Sequence, residues 1–195
     1  MLNDPVVAIQ RCSDPHDEAV VDAAVREAVG LLGGLNALLM PGDTVLVKPN
    51  LVDNYHYTTG VTTNPFVVRS LVRMAMEEGA RKVIVADGSR VGLDSETALA
   101  GTRMRALCED AGAEVRDLKK DAYQVAFVPN GRLFRKIRLP QTFFEADVII
   151  NVPVVKTHDS EPVTLGLKNM RDYLPGCPPH IQEFKALMET RAKRK

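Results

Sequence analysis

The run Thr44-Val45-Leu46-Val47 constrains this chain more than any other, because it offers apolar residues to both faces of a strand. Successive side chains of a strand point to opposite faces. A run without polar alternation must therefore be covered on both sides, as in a parallel sheet packed between helices. Lys82-Val83-Ile84-Val85-Ala86 and Ala146-Asp147-Val148-Ile149-Ile150 read as further strands of that kind, and Val6-Val7-Ala8-Ile9 as the first strand of the chain. Helical patterns lie between them. From His16 onward Val21, Val25, Ala28, Val29 and Leu32 recur at helical spacing until Gly33-Gly34. Asn64-Pro65 reads as an N-cap with proline at the first helical position, opening a helix that carries Val68, Leu71, Val72 and Ala75 on one face and stops at Gly79. A third helical region covers about residues 95–111, with Gly101 as a break.

Residues 114–118 read as an edge strand. Two short strands, around 124–128 and 133–138, flank the turn signal Pro129-Asn130-Gly131. A short helix near 141–145 precedes the strand at 147–152, and Ile181, Phe184, Leu187 and Met188 repeat at helical spacing near the end. Strands alternating with helices predict an α/β fold: a mostly parallel sheet with helices on both faces, Rossmann-like in its layering, with a small antiparallel hairpin insertion. At 195 residues the expectation is one α/β domain over 1–195.

Charge and cysteine content narrow the function classes. With 25 basic and 25 acidic side chains there is no global field to draw in nucleic acid or an anionic membrane, so neither is an expected partner. The run Arg191-Ala192-Lys193-Arg194-Lys195 reads as a solvated helix end. Cys12, Cys108 and Cys177 are odd in number and widely spaced, which encodes no disulfide framework, zinc cage or iron–sulfur cage. Cys177, in Pro175-Gly176-Cys177-Pro178-Pro179, reads as an inert turn residue. No leader-like amino end and no bilayer-length apolar run are present, so a cytoplasmic, reducing setting is expected. Neither G-x-G-x-x-G after the first strand nor G-x-x-x-x-G-K-S/T occurs, so dinucleotide and P-loop nucleotide binding have no motif, and the cofactor is left open.

The chemistry-bearing residues gather at predicted strand ends: Lys48-Pro49-Asn50, Asp87-Gly88-Ser89, and Asn151 followed by Lys156-Thr157-His158. In a parallel sheet these ends share one rim, and open α/β sheets hold ligands outside the carboxyl ends of their strands. Lys48 and Lys156 are candidates to bind a carboxylate or phosphate, with Asn50, Thr63, Ser89, Asn151, Thr157, Lys168 and Asn169 as further ligand-binding residues. His158 is the candidate proton shuttle, since its unperturbed pKa lies near neutrality, with Lys156 and Asp87 beside it in the catalytic set. Asp87 orients an imidazole, ligates a metal or caps the following loop. Lys168-Asn169 binds ligand or closes a helix. Asp53 and His56 form only a weak metal pair, and no metal site is expected.

Five ordered segments resemble one known family. Pro41-Gly42-Asp43-Thr44-Val45-Leu46-Val47-Lys48-Pro49-Asn50-Leu51 is similar to the P-G-D-x-V-x-x-K-P-N-L segment of the domain of unknown function 362 family. Thr62-Thr63-Asn64-Pro65 resembles its T-x-P helix entry, and Gly79-Ala80 its G-A-x-x-V segment. Asn151-Val152-Pro153-Val154-Val155-Lys156-Thr157-His158 resembles its N-x-P-x-x-K-T-H signature, and Leu167-Lys168-Asn169 its L-K-N element. The resemblance implies a domain longer than this chain, of which 1–195 is the amino-terminal part. It also implies an association with ferredoxin-like iron–sulfur segments, which this chain lacks. Three functions follow as expectations: a protein that binds a small anionic metabolite at the rim, with acid–base or redox catalysis; a redox module working with an iron–sulfur partner; or a non-catalytic, truncated interaction domain.

Overall fold

Thr44-Val45-Leu46-Val47 lies at the centre of the sheet as β1 (Thr44–Lys48), and every residue of that strand is buried. In the computed structural model, which describes residues 6–89, 92–130, 135–157 and 165–170, β1 has a parallel neighbour on each side. One is β2 (Lys82–Asp87), in register Val45 to Val83, and the other is β6 (Val148–Asn151), in register Lys48 to Asn151. Beyond β2 lies β3 (Glu114–Asp117), so the four strands run in the order β3-β2-β1-β6.

The two longest helices begin where their sequence says they can. The carboxylate of Asp17 accepts from the N–H groups of Ala19 and Val20 to open α1 (Glu18–Gly30). Asn64 caps α2 (Pro65–Glu77) through the N–H of Phe66, and Pro65 costs nothing at a position whose N–H has no helical partner. The third helical region divides into α3 (Ser95–Gly101) and α4 (Met104–Asp110), with Arg103 at φ 59° between them. Gly101 lets α3 end close to the loop after β1: a Cβ there would stand 3.0 Å from the Cβ of Asn54, a tight contact. On one face of the sheet Val45, Val47, Val83 and Val85 pack against Val68, Leu71 and Val72 of α2 and Met104 and Cys108 of α4. On the other, Leu46, Ile84 and Ala86 pack with Met170 and with Phe143 of α5 (Thr142–Glu145). The α/β layering read from the sequence is therefore present, with helices on both faces.

The hairpin is also present, as β4 (Tyr123–Phe127) and β5 (Lys136–Pro140). It forms a two-stranded antiparallel sheet of its own, seated through Ala126, Val128, Ile137 and Leu139 on Phe144. The first strand is a correction. Residues 6–9 pair with no strand, and Val6, Val7 and Ile9 are 77%, 78% and 88% exposed. Apolar, β-branched composition does not by itself make a strand, which needs a neighbouring strand to bond its backbone, and among the described residues these have none. Cys177, the apolar repeat from Ile181 to Met188 and the basic run at 191–195 lie outside the described residues.

This strand order positions the site. From β1 the chain crosses by α2 to β2, then by α3 and α4 to β3, and finally β6 joins the opposite side of β1. The strand order thus reverses between β1 and β6, the kind of switch point at which open α/β sheets form a crevice.

Candidate functional site

Lys48 ends β1 and Asp87 ends β2, and both side chains are 0% exposed. The ammonium of Lys48 is ion-paired with the Oδ1 of Asp87 and also donates to the carbonyl of Pro49 at 3.4 Å. The second oxygen of Asp87 accepts from the N–H of Leu51 at 2.6 Å. Asp87 therefore fastens the loop that leaves β1, not only its own strand end. Two opposite charges removed from water hold each other in place strongly once buried, since losing either leaves the other uncompensated.

Around this pair the loops that leave β1 and β6 are tied together by hydroxyl and amide groups. Asn50 donates its N–H to the Oγ1 of Thr63 at 2.8 Å, and that hydroxyl donates to the carbonyl of Val152 at 2.8 Å. One threonine thus bridges the loops after β1 and β6. The ammonium of Lys156 donates to the Oδ1 of Asn50 and to the carbonyl of Val61 at 2.5 Å. Asn169, in α6 (Gly166–Asn169), donates its amide to the Oδ1 of Asn151 at 2.7 Å and to the carbonyls of Pro49 and Lys48 at 3.2 and 3.3 Å. Asn151 donates its own amide to the carbonyl of Gly166 at 2.8 Å. Among the described residues the Oδ1 of Asn169 and the Oγ1 of Thr62 are buried without a hydrogen-bond partner.

Seven of the rim candidates are thereby brought together: Lys48, Asn50, Thr63, Asp87, Asn151, Lys156 and Asn169. Ser89 belongs to a separate group, bonded to Ser95, to the carbonyl of Leu93 and to the ammonium of Lys119. Thr157 is exposed. His158 and the side chain of Lys168 lie outside the described residues. His56 accepts from the N–H of Thr58 at 3.5 Å and caps the short 3-10 turn Tyr57–Thr59, while Asp53 accepts from the N–H of Asn54 at 2.7 Å. Among the described residues no group of three His, Cys, Asp or Glu side chains is placed to hold a metal ion.

A cleft of about 470 Å³ adjoins the cluster, lined by His16, Tyr57, Thr62, Thr63, Asn64 and the segment Val152–Val155, among others. His16 and Tyr57 were not legible as site residues. His16 precedes α1, and it arrives only because the amide of Asn64 donates to the carbonyl of Pro15 at 2.9 Å. Its Nδ1 then stands 3.3 Å from the Tyr57 hydroxyl. The capping pattern Asn64-Pro65 was the one available signal, since it marks a helix start facing the rim.

Fold and site together define an open-sheet α/β protein whose polar residues gather at the switch point between β1 and β6. The chain belongs to the family described as Domain of unknown function (DUF362), whose model matches residues 45–189, a span that includes every rim candidate. It is 27% identical over 169 residues to the Thylakoid-associated protein sll1697 of Synechocystis sp., a match covering 84% of this chain and 49% of that relative. The chain thus spans about half the length of that protein. No solved structure matches it. Among the described residues no helix is long and apolar enough to cross a membrane.

Proposed function

We propose that this protein binds a small anionic molecule, a carboxylate or phosphate ester, at the carboxyl rim where the loops after β1 and β6 leave the sheet. The observation that carries this reading is convergence: side chains from β1, β2, β6, α6 and two loops meet at the switch point, beside a cleft of about 470 Å³. Polar groups clustered at one open end of a parallel sheet are the usual form of a ligand site in this architecture.

The geometry divides the roles differently from a simple pair of anion-binding lysines. Lys48 is enclosed with Asp87, so in this reading the pair is the scaffold that fixes the loop backbones. Lys156, half-buried at the rim with Asn50, supplies the positive charge. Asn50, Thr63, Asn151 and Asn169 orient the anion and its donors, and the apolar wall at Val152–Val155 takes the remainder of the molecule. His158, two residues beyond Lys156, is the proton carrier if chemistry follows binding.

Thermal unfolding against a panel of phosphates and carboxylates tests this. A ligand bound only by the folded state stabilises it by about 2.7 kcal/mol at a hundred times its Kd. The expected result is a rise in midpoint for one anion class that Lys156→Met abolishes, each protein being compared with its own ligand-free midpoint. A midpoint that no anion moves, or a shift that survives Lys156→Met, would count against the rim as the site.

A further inference from the structure

The small β4–β5 sheet has two unlike faces. Alternate residues of a strand point to opposite sides, and Ala126, Ile137 and Leu139 turn inward onto Phe144. The outward positions are Tyr123, Val125 and Phe127 on β4 and Lys136 and Arg138 on β5, while Pro140 at the end of β5 is buried. The register sets Val125 opposite Arg138 and Phe127 opposite Lys136. Val125 is 55% exposed and Phe127 68% exposed, whereas among the described residues the apolar side chains of the other strands are buried or, in β6, half-buried. The ammonium of Lys136 lies 5.2 Å from the centroid of the Phe127 ring, and the guanidinium carbon of Arg138 lies 5.3 Å from that of Tyr123. None of these five outward positions is acidic.

We propose that this face is a docking surface for an anionic lipid layer. Val125 and Phe127 enter the boundary between headgroups and acyl chains, and Lys136 and Arg138 lie at headgroup level. The charge pattern favours this partner. Two cations with long apolar stems flank the exposed aliphatic and aromatic side chains, and such stems bury along apolar surface while the charge stays with the phosphates. Phenylalanine is among the side chains that interfacial segments bury at that boundary. A single-stranded nucleic acid fits the face less well, because it stacks its bases on successive open rings. Here Tyr123 is half-buried, its hydroxyl donates to the carbonyl of Leu118 at 3.2 Å, and Arg138 stands over its ring. Between Tyr123 and Phe127 the face offers only Val125, which neither stacks on a base nor bonds to one. This proposal is independent of the rim, since none of these residues belongs to the switch-point cluster.

The test is co-sedimentation of the full chain with vesicles of phosphatidylcholine mixed with phosphatidylglycerol, against phosphatidylcholine alone, with a fluorescent oligothymidylate as a parallel probe. The expected result is binding to the anionic vesicles that weakens with salt and falls by about tenfold or more in Lys136→Glu/Arg138→Glu. Phe127→Ser should weaken binding while keeping the salt dependence. Arg103→Glu, a charge reversal at an exposed position between α3 and α4, should bind as the parent does. Equal binding to neutral vesicles, or anionic binding indifferent to the double reversal, overturns the proposal. Oligothymidylate binding lost in the double variant, with no vesicle binding in the parent, reassigns the face to nucleic acid. Should Phe127→Ser lower the unfolding midpoint, the double reversal alone decides, because both of its side chains are exposed.

Discussion

At the scale of single residues the buried Lys48–Asp87 pair joins the ends of β1 and β2 at the candidate site. Both were picked out as rim residues because each ends an apolar run, Thr44-Val45-Leu46-Val47 in one case and Val83-Ile84-Val85-Ala86 in the other. That they enclose each other was not legible: they are 39 residues apart, and only the β1–β2 register brings the two strand ends together. The pair yields a clear expectation. Lys48→Met takes the Lys48 ammonium away from the buried carboxylate of Asp87 and should lower unfolding free energy by about 3–5 kcal/mol. Lys48→Met/Asp87→Leu removes both charges and should recover most of that loss. A remainder of about 1–3 kcal/mol is expected because the N–H of Leu51 loses its acceptor. Urea unfolding of the two variants checks this, and a double variant no more stable than the single one would show that the pair is not what holds the strand ends. Cys108 illustrates a different residue-scale outcome. Burial pushes its thiol up to about 12, so it acts as a core side chain packed on Met104 and not as a nucleophile.

At the scale of elements, the chain was most readable where a local rule and the tertiary structure agree. Asn64-Pro65 opens α2, Gly101 closes α3, and the two-sided apolar runs become β1 and β2. It was least readable where identity depends on an available partner. Residues 6–9 have strand-like composition but pair with no strand among the described residues. The cleft next to α2 depends on how Pro15 and His16 return to Asn64, which no local pattern encodes. The β2–β3 edge gives an element-scale prediction. Glu114 on β3 bonds Arg116 of its own strand and Lys82 of β2, and these partners, Arg116 first, hold its carboxyl down to about 2. A depressed folded-state value means that the stabilisation is complete above the ordinary value of 4.5 and is lost as pH falls toward 2. The side chain is 46% exposed, so screening by water limits the contribution to about 1 kcal/mol or less. Glu114→Gln should therefore be slightly less stable than the parent at neutral pH, with the difference shrinking as pH falls from 5 to 3. Denaturant midpoints across that range measure it, and a difference independent of pH would assign the effect to packing instead of charge.

At the scale of the whole molecule the two sheets differ in how they are held. The four-stranded sheet is covered on both faces, with β1 and β2 lying between parallel neighbours and under α2, α4 and α5. The β4–β5 sheet has only two strands, one buried face, and a small cluster of Ala126, Val128, Ile137 and Leu139 against Phe144. Two-stranded sheets are marginal without further support, and proteins open in cooperative units whose free energies follow their buried contacts. Native-state hydrogen exchange should accordingly divide the chain. Amides of Val45–Val47 and Val83–Val85 should exchange only with global unfolding, and their rates should follow denaturant with the full equilibrium slope. Amides of β4 and β5 should exchange through a smaller opening that exposes less surface and has a lower free energy. Phe144→Ala tests the link between the units, because Phe144 packs with both clusters. It should speed exchange in β4 and β5 by more than it lowers global stability. Equal protection in both sheets would mean that the hairpin is part of the central folding unit. In that case Val125 and Phe127 would be exposed on a rigid face instead of on an element that opens by itself.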